Sequence, residues 1–338
     1  MKRRTLAIIL LILGLIIGII TPILAFSPLG SQLFATQIAT PPPTFLPFTP
    51  TPTPPPKPVL TVVGTPPPVN VKAAYLLDTD TGHTLDDFHG EVPLPMASTT
   101  KIMTAIIAIE TGKLDTVVTI TRDDVNEAAN NGGSTAQLQP GDKISVKNLL
   151  YGLLLPSGDD AAFAIARTIG GSQDNFVRLM NIFAYRLHLY QTHYINADGL
   201  TYYSNAARTQ PLPGHYTTAY DLARLAQYAM NIPLFAAIVK APTYTLPATA
   251  GHHSYHWTNT NDLLGANPAD PSGKYSGATG IKTGHTIEAG YCLVFSAIRS
   301  DHHLIGVILF SSDGIERFTD AQKLLNWGFG LPVRLSTS

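Results

Sequence analysis

Between residues 26 and 70 the chain carries 14 of its 27 prolines, in runs such as Pro41–Pro43, Thr51–Pro56 and Pro66–Pro68. Proline has no backbone N–H and a fixed φ, so neither a helix nor a sheet ladder runs through such a stretch. It reads as a semi-rigid spacer, up to ~140 Å long at ~3.1 Å per residue if fully extended. The 338 residues therefore fall into parts that have to be read separately.

Ahead of the spacer, residues 6–24 are apolar except for glycines, Thr21 and Pro22, and Lys2, Arg3 and Arg4 precede them. About 20 apolar residues span a hydrocarbon core of ~30 Å as a helix. The basic residues hold the N-terminal end in the cytoplasm and send the rest outward. A retained anchor is the reading taken. A cleaved signal peptide competes, with Ala25 before the cut, although no A-x-A precedes it and the run is long for such a signal. Either way residues 1–25 export the remainder. The expected order is an anchor or signal (1–25), a spacer (26–70) and a catalytic domain (71–338). The chain stops shortly after its last expected helix, and the N-terminal segment is expected to supply the membrane attachment.

Charge then excludes one class of partner. The whole chain has 22 Lys plus Arg against 23 Asp plus Glu, but residues 1–70 hold Lys2, Arg3, Arg4, Lys57 and no acid. The remainder carries 18 basic against 23 acidic residues, the wrong sign for neutralising phosphates, so no nucleic-acid partner is expected. Cys292 is the single cysteine, which excludes an internal disulfide framework and any cysteine-based zinc cluster. His252, His253 and His256 share a polar, aromatic loop without an H-E-x-x-H pattern, and neither metal nor cofactor is expected.

Periodicity sets the fold class. Val71–Asp78 reads as a strand turning through Thr79–Gly82 into a second. Residues 97–110 have helical spacing, with Ile102, Ile106 and Ile109 on one stripe, ending at Gly112. Helices are expected around 147–168, 173–189 and 217–231, a hairpin from Gly290–Ile298 and His303–Ser311 through a turn at 299–302, and a last helix at 316–327. Strands at both ends with helices between them give an α+β fold: a sheet built from both chain ends, packed with helices, plus a mainly helical subdomain.

Three short motifs carry chemistry. In Ser98-Thr99-Thr100-Lys101, positions three apart share a helix face, so Ser98 Oγ and Lys101 Nζ can meet. A desolvated lysine can then act as the base a serine nucleophile needs. Ser157-Gly158-Asp159 follows an apolar helix, and Lys282-Thr283-Gly284 precedes an apolar strand. On a sheet edge the last offers an ammonium and a hydroxyl to a carboxylate, and its glycine admits a substrate backbone. Each motif alone is weak; their order and spacing together form the signature set of penicillin-recognising serine enzymes.

With AAYLLD at 73–78, PLPMASTTKIMTA at 93–105, LQPGD at 138–142, LLLPSGDDAA at 153–162, GIKTGHT at 280–286, AGYCLV at 289–294 and ERF…LLNWGF ending at Phe329, residues 73–330 resemble the low-molecular-weight penicillin-binding proteins, the serine D-alanyl-D-alanine carboxypeptidases. The resemblance implies a β-lactamase/transpeptidase-like fold and removal of the terminal D-Ala from peptidoglycan stem pentapeptides. Penicillins are expected as inhibitors that acylate the same serine. It implies Ser98 as nucleophile, Lys101 as general base and Ser157 as proton relay. Lys282, Thr283 and Gly284 would hold the substrate, Arg317 its terminal carboxylate, and the backbone N–H groups of Ser98 and His285 the oxyanion.

Asp159 departs from the pattern, which usually has Asn there. An ionised aspartate only accepts hydrogen bonds and favours the ammonium form of a nearby lysine, the wrong form for a base. Asp160 fits the pattern and reads as structural. Other functions on the same fold are a D,D-endopeptidase, a β-lactamase, or a wall-binding module impaired by Asp159. The E-x-x-x-N that a class A-like β-lactamase carries after the second motif occurs only at Glu127–Asn131, before it.

Overall fold

The computed structural model describes residues 58–265 and 273–334; the apolar run 6–24 and most of the spacer lie outside them. Five antiparallel strands form the main sheet: β2 (Val71–Asp78), β3 (His83–Phe88), β8 (Ala278–Thr286), β9 (Gly290–Arg299) and β10 (His302–Ser311). Their spatial order is β3-β2-β10-β9-β8, so the N-terminal strand pairs with the last one and β8 forms an edge. As expected, both chain ends build one sheet.

Alternation explains the unbroken apolar run in β2. Successive strand residues face opposite sides. Ala73, Tyr75 and Leu77 join the large core beneath the helical part. Ala74 and Leu76 join a smaller core with Phe318, Leu324 and Leu325 of the last helix, which runs Glu316–Phe329. A sheet covered on both faces has no polar face to show. The β9–β10 turn is tighter than expected, being Ser300-Asp301 with both residues at positive φ, as in a type I′ hairpin. His302 therefore opens β10 rather than lying in the turn.

The helical part packs around α1 (Lys101–Glu110), whose residues 101–108 are all buried rather than only an Ile102–Ile106–Ile109 stripe. After it come β4 (Val117–Thr119), α2 (Arg122–Asn130), β5 (Lys143–Ser145), α3 (Val146–Leu154), α4 (Asp159–Gly170), α5 (Gln173–Arg186), α6 (Ala219–Met230), α7 (Pro233–Lys240), and a hairpin of β6 (Thr243–Leu246) and β7 (Tyr255–Thr258). The helix from Glu316 is then α8. The helical stretch expected over 147–168 is two helices separated at residues 155–158, in keeping with a Ser157-Gly158-Asp159 motif that follows an apolar helix. Pro156 cannot donate to the preceding turn, and Ser157 has φ +67°. This break brings Ser157 and the first turn of α4 to the site.

One boundary differs from the expectation. Residues 58–70, read as spacer, lie on the fold: Val59 and Leu60 (β1) pair with Arg334 and Val333 (β11, Val333–Arg334), and Asn70 N–H donates to Asp320 at 2.9 Å. Leu60 is buried with the α8 core, and an apolar side chain between prolines finds cover there. Among the described residues no single helix is long and apolar enough to cross a membrane.

Candidate active site

Ser98 sits in a 3₁₀ turn, Ala97–Thr100, that feeds α1. Lys101 Nζ, wholly buried, lies 2.8 Å from Ser98 Oγ and 2.7 Å from the Asp198 carbonyl, and contacts Asp159 Oδ1. The Asp198 carbonyl is held in place by its loop. Asn196 accepts from Gly199 N–H at 2.7 Å and donates to the Leu200 carbonyl at 2.9 Å. Gly199 has φ +91°, and a Cβ there would stand 2.0 Å from the Ala97 carbonyl oxygen, so only glycine fits.

Ala97, just before the nucleophile, has φ +47° and is tied down by a chain of hydrogen bonds. Ile195 N–H donates to His215 Nδ1 at 3.1 Å, which leaves Nε2 as the protonated nitrogen facing Thr100 Oγ1 at 2.8 Å. Thr100 Oγ1 in turn donates to the Ala97 carbonyl at 2.8 Å. Burial pushes the His215 imidazole down to about 3, so it stays neutral. Sequence reasoning missed His215 and Asp198. Both lie in irregular loops, and the only signal was their place in a polar stretch.

The second motif closes one wall. Ser157 is buried and belongs to the cleft lining, and its Oγ has no hydrogen-bond partner among the described residues. Asp159 opens α4. Its N–H donates to the Ser134 carbonyl at 2.9 Å, and burial pushes its carboxyl up to about 7 despite Lys101. Its Oδ2 faces Gly133 and makes no hydrogen bond among the described residues. Asp160 accepts from Ala136 N–H (2.8 Å), Leu138 N–H (3.1 Å) and Thr135 Oγ1 (2.7 Å), which fixes the opposite loop as a structural residue would.

The third motif supplies the other wall. Lys282, Thr283 and Gly284 lie on the edge strand β8. A Cβ on Gly284 would sit 3.0 Å from Ser98 N, so the glycine leaves the space before that N–H open. Thr283 Oγ1 shares a 2.6 Å hydrogen bond with Thr260, another residue the sequence did not flag. Lys282 Nζ donates to the Thr283 carbonyl at 2.9 Å, and burial holds its pKa well below the usual lysine range. Arg317, in the first turn of α8, donates to the Gly284 and Cys292 carbonyls at 3.1 and 3.3 Å. His285 stacks on Tyr291 with ring centroids 4.1 Å apart. The structure thus brings the motif residues to one cleft of about 250 Å³, lined by Ser98, Ser157, Thr283, Gly284, His285 and Arg317, with Lys101, Asp159 and Lys282 buried behind its walls.

A family model described as D-alanyl-D-alanine carboxypeptidase matches residues 61–312. The chain belongs to that family. It is a serine-type hydrolase of the D-alanyl-D-alanine carboxypeptidase class on the β-lactamase/transpeptidase fold. It is 38% identical over 279 residues to the D-alanyl-D-alanine carboxypeptidase of Streptomyces sp. (strain K15), covering 79% of this chain and 90% of that one. It is 34% identical to DacC of Escherichia coli, covering 78% of this chain and 62% of DacC. The crystal structure of the Streptomyces K15 DD-transpeptidase superposes with a TM-score of 0.70 at 37% identity, covering 79% of this chain and all of that one. The family match stops before α8 and does not itself cover Arg317, which the structure places in the cleft lining.

Proposed function

We propose that this chain removes the terminal D-alanine from peptidoglycan stem pentapeptides through a Ser98 acyl-enzyme. The observation that carries the reading is Ser98 Oγ at 2.8 Å from a wholly buried Lys101, set against the free edge of β8. In the first half-reaction Lys101 takes the Ser98 proton as Oγ bonds to the carbonyl carbon of the fourth residue. The oxyanion meets the N–H groups of Ser98 and His285. The C–N bond then breaks, and Ser157 relays the proton from Lys101 to the departing amine of D-Ala. In the second half, water attacks the ester while Lys101 takes its proton; the Oγ–C bond breaks and that proton returns to Ser98. The D-Ala carboxylate lies by Thr283 and Lys282, giving the buried lysine its counter-charge, with Arg317 fixing the strand. A β-lactam follows the first half only, because its leaving nitrogen stays tethered in the opened ring.

Asp159 is compatible with this chemistry. A neutral Lys101 amine donates twice and accepts once. Three oxygens surround Lys101 Nζ: the Asp198 carbonyl and Asp159 Oδ1 accept from it, and Ser98 Oγ lies at 2.8 Å, where its hydroxyl can turn to donate to the neutral amine. Burial raises the Asp159 carboxyl to about 7, which weakens its hold on the ammonium form of its neighbour. The test is D-Ala release from a soluble pentapeptide. Ser98→Ala and Lys101→Ala should each abolish it, and release that persists in Ser98→Ala would sink the reading.

We place this activity outside the cytoplasm, with residues 6–24 as a single N-terminal membrane anchor and the proline-rich stretch as spacer. The 19-residue apolar run and its three basic flanking residues support this. The full chain should sediment with membranes and a chain lacking residues 1–25 should not; equal partitioning of both would overturn it.

A further inference from the structure

The cleft does not end at Gly284. It continues along the edge of β8 into a second cavity of about 210 Å³, and Gly132, Leu200 and His285 line both. One side of this cavity is Thr286, Ile287 and Glu288; the other is Tyr203 and Arg208, from the long loop after Gly199. Its two charged groups are of opposite sign and are held apart by an aromatic ring. Arg208 donates to the backbone carbonyls of Asn130 and Asn131 at the end of α2, and its guanidinium stands 5.9 Å from the Tyr203 ring centre. The Tyr203 hydroxyl donates to Glu288 Oε1. Glu288 Oε2 is buried and makes no hydrogen bond among the described residues. Burial works to raise the Glu288 carboxyl, but the Tyr203, Thr201 and Thr286 hydroxyls together outweigh it and hold it below its ordinary range, so it is ionised near neutrality.

A peptide that adds to the edge of a sheet runs extended along it, at ~3.4 Å per residue. Two points fix its register here. The terminal carboxylate lies by Lys282 and Thr283, and the scissile carbonyl lies by Gly284, where β8 comes closest to Ser98. The third residue of the stem, next on the N-terminal side, then falls beside His285 and Thr286. Its side chain enters the cavity between Arg208 and Glu288. Resting on the function proposed above, we infer that this cavity is the subsite for the third stem residue and selects a side chain ending in both an ammonium and a carboxylate, that of a diaminodicarboxylic acid such as meso-diaminopimelate. The ammonium completes Glu288 Oε2, the carboxylate meets Arg208, and the methylenes lie against Leu200 and Ile287.

The experiment compares D-Ala release by the full chain from three peptides of the form N-acetyl-X-D-Ala-D-Ala, where X is meso-diaminopimelate, L-lysine or Nε-acetyl-L-lysine. The expected order of kcat/KM is diaminopimelate, then lysine, then acetyl-lysine, with each lost charge costing about tenfold, as for a hydrogen bond to a charged group. Glu288→Gln should shrink the lysine to acetyl-lysine ratio towards one, and Arg208→Ala the diaminopimelate to lysine ratio. Equal kcat/KM for the three peptides in the unaltered chain would overturn the subsite whatever the variants do. So would ratios that survive in both variants. If no peptide releases D-Ala and benzylpenicillin does not acylate Ser98, the proposed function itself fails, an outcome distinct from equal rates.

Discussion

At the scale of single residues, the chemistry turns on two side chains that share one buried contact. Lys101 is useful as a base only when neutral, and an ionised carboxylate beside it favours the ammonium. Burial works the other way, raising Asp159 to about 7. The groups facing this pair are Asp198, whose carboxyl burial also raises, Asp160 in the same helical turn, and Lys282 on β8. The sign of a substitution follows. Asparagine at 159 keeps the shape and removes the carboxylate, so less is left to stabilise the Lys101 ammonium. Penicillin acylation by Asp159→Asn should therefore be faster at pH 7 than in the unaltered chain. Stopped-flow acylation rates would show it. An equal or slower rate would mean that Asp159 does not govern the base.

At the scale of elements, the break between α3 and α4 builds the second wall, and Asp160 ties it to the loop at residues 134–138. Asp160→Ala would leave the Ala136 and Leu138 N–H groups without their acceptor. The expected cost is about 3 kcal/mol, measured by urea denaturation, because stranded buried donors lose their full desolvation energy. A loss below ~1 kcal/mol would mean that the loop finds other acceptors. The sequence made some elements legible and not others, for physical reasons. β2, β9 and β10 are apolar runs too short for helices and bounded by turn residues, and α1 and α8 repeat at helical spacing. The helix break was legible only as the end of the apolar helix before Ser157, since the apolar pattern runs through Leu155 and resumes from Ala161. α2 announces itself only by its Thr121–Asp124 capping box, and its mean composition is polar. The hairpin of β6 and β7 and the helix α7 were not anticipated either. In the site, Ser98, Lys101, Ser157 and the β8 triplet were legible because their chemistry sits in short motifs. The Asp198 carbonyl, His215, Thr260, Arg208 and Glu288 were not, since tertiary folding alone brings them there.

At the scale of the whole molecule, the fold closes on itself at both ends. The β1–β11 pair, the buried Leu60 and the Asn70–Asp320 hydrogen bond fasten the end of the proline-rich stretch to α8 and the last strand. A chain beginning at residue 71 should therefore be less stable than one beginning at residue 56, by about 2–3 kcal/mol for one leucine and one hydrogen bond. Thermal melts of the two would show it, and identical melting temperatures would mean that residues 58–70 add nothing. The central claim concerns Ser98 itself, and intact mass spectrometry of the chain from residue 56 with benzylpenicillin tests it most directly. The account predicts a lasting adduct of one penicillin per chain that is absent from Ser98→Ala. An adduct that clears within seconds would make the enzyme a β-lactamase, and no adduct, or one that persists in Ser98→Ala, would contradict the account.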